Sequence, residues 1–264
     1  MTSKVALFLA LPALTWSQSV LASWTRNSDP GSGMSAREIA FSGSDMRDAV
    51  AAVHAIVKTQ KISPDQANQS ITVEGNAREV ALAEWLLGEL GAPQANPNGR
   101  GFIMPQDSDD VTLAIGSIQV GMPISAGPPH VATLQDLKDL ANAIHVVADI
   151  PRTTVYAPTG VLVWRGKVWQ NDFVLWLLRQ LATPPSVNWT APISHQLEQA
   201  SRSVRVFYFA AETSVQDLGE IVSTVRQKAR LQRVVALDAE RAIVVRGTDI
   251  EAAAAGQVIT AARH

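Results

Sequence analysis

Three short apolar runs of this chain end in glycine and lead at once into a helical pattern: ITVEG at 71–75, VLVWRG at 161–166 and AIVVRG at 242–247. An aspartate stands near the start of an earlier helical pattern in each case. The closing glycines follow 27, 30 and 30 residues after Asp48, Asp136 and Asp217. Such self-similarity is the sequence signature of a repeated structural unit. The chain is therefore predicted to contain three copies of one module.

The pattern after each aspartate predicts an amphipathic helix of about four turns. Apolar residues recur five and eight positions later, at Val53 and Ile56, Ala141 and Ile144, and Val222 and Val225. Thr133 is a predicted N-cap, and Thr213 with Gln216 has the spacing of a capping box.

Two β-type runs with a turn between them follow the first helix, which is a hairpin signal. The paired runs are 61–63 with 70–74, 153–156 with 161–165, and 233–237 with 242–246. In the third copy the turn is expected at Asp238-Ala239-Glu240.

A second helical pattern follows each closing glycine. Asn76 with Glu79, and Thr248 with Glu251, are spaced like capping pairs. The residues ten positions after the glycines are Trp85, Trp176 and Gln257. The two tryptophans are predicted to pack in the core or between modules.

A strand precedes the first helix of each copy, at 38–41, within 111–120 and at 204–209. The fold class is therefore α+β, with three tandem β-α-β-β-α modules, each a small sheet with two helices on one face. The modules are expected to span 36–92, 111–183 and 203–263. A unit of about 60 residues buries only roughly 60% of its unfolded surface. The copies are therefore expected to be stabilised by contacts with one another or with partners.

Segments rich in Pro, Gly, Asn and Asp separate the copies. Linkers are predicted at 92–110 and 183–203, and a disordered lead-in at 27–35.

The N-terminus has the layout of a secretory signal peptide. Lys4 precedes an apolar run of 12 residues, Val5–Trp16, and Val20-Leu21-Ala22 suits a cleavage site. The run is too short to span a bilayer. We expect a leader at 1–22, a periplasmic or exported product, and no transmembrane segment after the leader is removed.

The bulk composition allows packed cores and excludes several classes of protein. Hydrophobic residues make up 47% of the 264, and the net charge of −2 is too small for a nucleic-acid platform or an acidic solvating tail. Cysteine is absent, which excludes disulfides and thiolate zinc sites.

The third copy resembles the small N-terminal periplasmic domains of the secretin family. The resemblance is carried by VRVFYF at 204–209 and AIVVRGT at 242–248, with a helix between them, and the three copies together cover most of 36–263. Secretins form the outer-membrane ring of bacterial secretion and pilus systems. Their recurrent module is a β-α-β-β-α unit, described as KH-like or ring-building.

The resemblance implies modules that bind protein, pack laterally into rings and dock onto inner-membrane partners, without catalytic residues. Secretins continue into a β-barrel region, whereas this sequence stops at His264, after the third copy. An accessory protein, a divergent relative and a fragment of a longer product are all compatible with this departure.

No residue is predicted to be catalytic, to bind a cofactor or to hold a metal. His145 and Asp149 are four apart on a predicted helix but lack a third member. The run Asp107-Ser108-Asp109-Asp110 lacks the glycine and distal glutamate of a calcium loop, which favours a solvated linker. No metal-ligand spacing relates His54, His130, His195 and His264.

A KH-like nucleic-acid-binding protein is the first alternative. KH domains clamp RNA with a Gly-x-x-Gly loop between two helices. The match, Gly88-Glu89-Leu90-Gly91, lies at the end of a predicted helix and contains an acid that would repel phosphate. We interpret it as a helix C-terminus and expect no nucleic-acid partner. A hydrolase with a site between modules, built around His145, is the second alternative.

The candidates for a protein interface lie around the closing glycines of the second and third copies. Aromatic and arginine side chains are favoured anchors of such interfaces, although Trp169 could instead pack on its own sheet. The candidates are Trp164, Arg165, Lys167, Trp169 and Arg246. The sequence therefore predicts an exported, non-enzymatic scaffold. Its sheet edges and helix faces would bind protein partners or further copies in a ring or chain.

Overall fold

The computed structural model describes residues 24–26, 33–43, 45–91, 100–104, 109–115, 133–182, 192–197 and 202–262. The predicted leader at 1–22 lies outside these residues, as do most of the predicted lead-in and parts of both linkers.

Each copy of the repeat folds as a strand, a helix, two further strands and a second helix, which confirms the predicted fold class. Module 1 consists of β2 (Met34–Ala40), α1 (Met46–Val57), β3 (Lys61–Asp65), β4 (Ser70–Asn76) and α2 (Ala77–Gly91). Module 2 consists of β6 (Asp110–Ile115), α3 (Leu134–Ala148), β7 (Arg152–Tyr156), β8 (Val161–Lys167) and α4 (Val168–Ala182). Module 3 consists of β10 (Arg202–Tyr208), α5 (Val215–Lys228), β11 (Val234–Leu237), β12 (Ala242–Thr248) and α6 (Asp249–Ala261).

The three sheets have the same antiparallel core, in which the last strand of the module lies between the other two. The orders are β2-β4-β3, β6-β8-β7 and β10-β12-β11. The register is also shared, because the closing glycines Gly75, Gly166 and Gly247 lie opposite Ser35, Val111 and Ser203. The threefold equivalence therefore extends from element order to individual residue pairs.

Two of the sheets are widened by strands that fall in the predicted linkers. β5 (Arg100–Ile103) pairs antiparallel with β6, and β9 (Ile193–Leu197) pairs antiparallel with β10. A short N-terminal strand, β1 (Trp24–Arg26), pairs parallel with β5. The linker predictions are wrong at β5 and β9, because an edge strand of four or five residues carries too little alternation to stand out from loop sequence.

Two boundaries also differ from the prediction. β2 begins at Met34, inside the predicted lead-in, because the small and polar residues before Ile39 pair along β4 without an apolar pattern. The cap of α5 is Ser214 rather than Thr213. The Ser214 hydroxyl accepts from the backbone N–H of Asp217 at 3.1 Å, and Asp217 accepts in return from the Ser214 backbone N–H at 3.0 Å. The predicted cap Thr133 is confirmed, with the same exchange to Asp136.

The closing glycines are required by the cap of the second helix. The side chains of Glu79, Gln170 and Glu251 turn back to accept from the backbone N–H of the residue after the glycine, at 3.0, 2.8 and 2.8 Å. A Cβ on Gly75 would lie 2.6 Å from Glu79 Oε2, and one on Gly247 would lie 2.9 Å from Glu251 Cβ. Strand end and helix start are therefore one coupled motif, present in all three copies.

The modules stack so that sheet layers and helix layers alternate. One hydrophobic cluster joins Ile71 of the first sheet and Leu86 of α2 to Val163 of the second sheet. A second cluster joins Trp164 and Leu177 of module 2 to residues of the third sheet such as Val244. Each pair of helices covers its own sheet as predicted. The sheets of modules 2 and 3 are also covered on the other face, by the helices of the preceding module.

The outer faces of the first and last layers carry polar residues at some positions where the inner layers carry apolar ones. On β8 and β12 the residues that face the preceding module include Val161, Val163, Ala242 and Val244. The equivalent positions on β4 are Ser70 and Thr72, on a sheet face that no module in the described part of the chain covers. At the other end, Gln257 of α6 replaces Trp85 and Trp176. Polar outer faces are typical of the terminal units of a repeat protein.

The hairpin of every module contains a residue in the left-handed region just before its last strand. These residues are Gln69, Gly160 and Arg241, with φ of 48°, 65° and 48°. Only the second copy uses glycine, which adopts this conformation without a Cβ penalty.

We expect Gly160→Ala to destabilise the protein by about 1–2 kcal/mol, because it places a Cβ on a left-handed residue. The matched control is Gly219→Ala inside α5, where an added Cβ meets nothing within 4 Å. This second change should stabilise by about 0.5–1 kcal/mol, because alanine favours a helix interior. Urea unfolding of the two variants measures both effects, and equal signs would contradict the shared hairpin geometry.

Candidate protein-interaction site

Trp164 is a core residue rather than a surface anchor. It is fully buried against the helices of module 2, and its Nε1 donates to Asn171 Oδ1 at 2.6 Å. The Asn171 amide donates onward to the carbonyls of Val111 and Gly166 at 3.4 and 3.3 Å. This network satisfies the indole N–H of Trp164 within module 2. Trp164 is therefore not available for contact with a separate protein.

Arg165 is held by an ion pair within its own sheet. Its Nε and Nη2 donate to the two carboxylate oxygens of Asp110 at 2.9 and 2.7 Å, in a bidentate pair across β6 and β8. Asp110 belongs to the acidic run that the sequence predicted to be a solvated linker, whereas Asp107 and Ser108 lie outside the described residues. The adjacent Lys167 is exposed at the end of β8.

Trp169 and Arg246 meet at the interface between modules 2 and 3. The Arg246 guanidinium lies 5.7 Å from the centre of a Trp169 ring, a cation–π distance. Arg246 is only 3% exposed, and its Nη1 donates to the carbonyl of Val147 at 2.8 Å. Val147 is in the last turn of α3, where the helix dipole favours a cation. Burial lowers the pKa of Arg246 and the nearby Arg233 adds to that shift, yet an arginine at this pKa stays protonated.

The two equivalent tryptophans also lie between modules. Trp85 of α2 packs on Phe102 of β5 with ring centres 5.6 Å apart, and Trp176 of α4 stacks on His195 of β9 at 4.6 Å. Burial lowers the pKa of His195, which favours the neutral ring in this stack. Each tryptophan thus contacts the strand that widens the next sheet. The sequence offered one weak signal for such a strand, the apolar run from Phe102 to Met104 ahead of β6.

His145 and Asp149, the pair of residues that suggested catalysis, bond to different partners. His145 Nδ1 lies 3.0 Å from the carbonyl of Ile150, and Asp149 accepts from Arg233 Nη2 at 2.8 Å, across the interface with module 3. Across the described residues, no group of three or more histidine and acidic side chains is placed to hold a metal ion.

The Gly-x-x-Gly match lies inside a helix. Gly88 to Gly91 form the last turn of α2, and Glu89 is buried and accepts from Arg100 Nη1 at 3.2 Å. A clamp for an RNA backbone needs this motif in a loop between two helices, so these residues do not build one.

Four carboxylates face one another where the third hairpin meets the start of α3. Asp238 and Glu240 are in the hairpin, and Asp136 and Asp139 are in the first turns of the helix. Burial raises the pKa of Glu240 to about 7, and repulsion from the other three carboxylates adds to the shift. Burial also raises the pKa of Asp238, with a contribution from Asp139. The contact between modules 2 and 3 is therefore favoured by a proton on Glu240.

None of the helices in the described part of the chain is long and apolar enough to cross a membrane.

No family model and no curated protein sequence matches this chain. Among solved structures, it is similar to ExeD of Aeromonas hydrophila, a secretin, with 12% sequence identity and a TM-score of 0.20. The match covers 87% of this chain and 42% of the ExeD chain, so this chain spans less than half the length of that protein.

Arg246→Ala should destabilise the protein by about 2–4 kcal/mol, since it removes a buried charged hydrogen bond and leaves a cavity between modules. The matched control is Arg179→Ala on the exposed side of α4, which should change stability by less than about 0.5 kcal/mol. Chemical denaturation of both variants is the measurement. Equal, small effects would mean that Arg246 is not part of the interface.

Glu240→Gln should reduce the pH dependence of the junction between modules 2 and 3. The folded-state pKa lies above the ordinary value of 4.5, so the stabilising proton is fully bound below that value and is lost as pH rises through about 7. The variant should therefore match the parent near pH 4 and exceed its stability by about 1–2 kcal/mol at pH 8. Urea midpoints across this range measure the difference. Glu212→Gln, at an exposed residue, serves as the control, and parallel curves for parent and Glu240→Gln would refute the buried carboxyl.

Proposed function

We propose that this chain is an exported, non-enzymatic protein-interaction scaffold, related to the N-terminal modules of secretins. The observation that carries the proposal is how the modules use their surfaces. Helix faces and sheet faces are buried between modules, and the sides of the stack are left for partners. Long, regular sides made of sheet edges suit recognition of other polypeptides.

The modules stack in the same orientation, which brings equivalent edges to the same side. Tyr156 Oη, at the second hairpin, donates to the carbonyl of Asp45 at the start of α1, 3.2 Å away. At the opposite end, Arg246 bonds the last turn of α3. Hairpins therefore adjoin helix starts and strand ends adjoin helix ends at both junctions. The outer edges β3, β7 and β11 share one side of the stack, and β2 and the widening strands share the other.

The charged and aromatic side chains that suggested a surface site support the same proposal. Arg165 is paired within its own sheet, and Arg246 contacts Trp169 and Val147 and so fixes modules 2 and 3 to one another. A rigid stack presents its edges at fixed spacing, which lowers the entropic cost of binding an extended partner. Assembly into a ring would use the same sides, with an interface of roughly 1,200–2,000 Å².

Export is proposed from the leader pattern at 1–22, and a periplasmic location from the resemblance of the third copy to secretin modules. β1 begins at Trp24, so cleavage after Ala22 would leave every described strand in the mature protein. A place in a secretion or pilus apparatus is part of the proposal and rests on that resemblance.

Photo-crosslinking in the native host tests the scaffold. A photoreactive residue at Pro64 of β3 or Ser194 of β9 should capture a defined protein, because both residues are on exposed sheet edges. The same residue at Gln257, on the polar end of the stack, should give much less product. Equal yields at edge and end positions would contradict a role for the edges.

Filter binding with single-stranded and double-stranded RNA tests the alternative. The scaffold should show no saturable binding at low or moderate salt. Tight binding that weakens steeply as salt rises would instead identify a nucleic-acid-binding protein and end the proposal.

A further inference from the structure

The first strand of module 1 lacks a neighbour that its two counterparts have. β6 and β10 each carry an added antiparallel strand on the outer edge, β5 and β9. In the described part of the chain, the sheet of module 1 has only its three core strands, and β2 is an edge. Every residue of β2 except Ile39 is exposed. The edge beside the first strand of the module is therefore paired in modules 2 and 3, whereas in module 1 no described strand pairs with it.

The backbone groups of this open edge can be assigned from the ladder. The Phe41 N–H donates to the carbonyl of Gln69 at 2.9 Å, and hydrogen-bonded pairs alternate along an antiparallel ladder. Ile39 and Arg37 therefore bond to β4, while the N–H and C=O groups of Ala36, Glu38 and Ala40 point to the free edge.

Module 3 shows what such an edge accepts. There the Phe209 N–H donates to the carbonyl of Arg241 at 2.8 Å, which fixes the same alternation. The outward residues Val204 and Val206 lie opposite His195 and Ile193 of β9. Ala36 and Glu38 are the equivalents of Val204 and Val206, because Ser35 and Ser203 both lie opposite a closing glycine. An extended segment thus has a defined register on β2.

β2 has no feature that would prevent its edge from pairing with another strand. Arg37 pairs with Glu84 at 2.6 Å, and Glu38 accepts from the Ser70 hydroxyl at 2.6 Å, so both charged side chains are held within module 1. The strand has no proline and pairs regularly over seven residues. Proline and inward-pointing charge are usual protections of an edge strand.

The described strand that precedes β2 in the chain, β1, pairs in a different sheet. β5 and β9 reach their places by folding back as hairpins directly before β6 and β10. The corresponding strand before β2 is β1, and β1 pairs with β5 in the sheet of module 2 instead. The chain therefore does not fill this edge in the way it fills the other two.

We propose that the edge of β2 binds an extended segment of a partner protein, added as an antiparallel strand with a lysine or arginine opposite Glu38. The charge follows from the register. Glu38 is acidic and exposed, at the position where Val206 of module 3 lies opposite Ile193. Opposite charges facing each other across two strands stabilise the pairing. This inference rests on the proposed scaffold function and specifies one of its surfaces.

Binding of a probe peptide to the ¹⁵N-labelled full chain tests the proposal. The probe has the sequence of residues 192–198, PISHQLE, with the change Ile193→Lys, which places lysine opposite Glu38. Amide shifts should be confined to module 1, and the amides of Ala36, Glu38 and Ala40 should become protected from hydrogen exchange. The same peptide with Ile193→Glu should bind about two- to fivefold more weakly.

Two variants separate edge pairing from other binding. Ala36→Pro removes an outward N–H that the fold does not use, and should abolish the shifts while spectra of modules 2 and 3 stay unchanged. A probe that is N-methylated at alternate residues removes the donors on the peptide and needs no change in the protein. It should bind at least about tenfold more weakly if backbone pairing carries the affinity.

Three results would overturn the proposal. They are the absence of shifts in β2 at millimolar peptide, equal binding of the N-methylated probe, and a concentration-dependent dimer that Ala36→Pro dissolves, which would assign the edge to a second copy. If β2 fails while crosslinks still form at Pro64 or Ser194, the scaffold stands without this surface. If both fail, the scaffold proposal falls too.

Discussion

The structure depends on each inner layer of helices having two sheets to cover. A sheet of three short strands under two helices is only marginally stable alone, because small units leave much of their chain exposed. Here α1 and α2 pack on their own sheet with one side and on the sheet of module 2 with the other. The pair α3 and α4 does the same with module 3. Each inner helix layer thus buries apolar surface on two sides, and each side contributes about 25 cal/mol per Å² of apolar surface buried.

Local features of this fold could be predicted from the sequence, and long-range ones could not. Element order, hairpins and most caps follow from patterns within one module. Examples are the capping pair Thr248 and Glu251, and Gly247, which the Glu251 side chain passes closely. The added strands β5 and β9 could not, because they are short and their partners are fixed by tertiary packing. The same holds for the order of the layers, since an apolar helix face does not reveal which sheet will cover it.

The candidate site shows the same limit of prediction from sequence. Trp169 and Arg246 have the chemistry of interface anchors and do lie at an interface, but one between two modules of the same chain. A repeat protein uses the same side chains between its own units as two separate proteins use between theirs. Sequence alone therefore identified the kind of contact and not the partner. The acidic cluster around Glu240 was hidden for a related reason, because its members come from two modules.

Polar residues at a few positions of the first and last layers, where the inner layers are apolar, set a rule for how such a chain can lengthen during evolution. The upper and lower faces of module 2 are both apolar and match its neighbours, so duplicating its gene segment would insert a compatible fourth layer in the middle. Duplicating module 1 would instead place Ser70 and Thr72 against apolar helices, and duplicating module 3 would place a sheet against Gln257. Longer relatives built on this plan should therefore differ from this chain in the number of central units, with recognisable terminal units preserved.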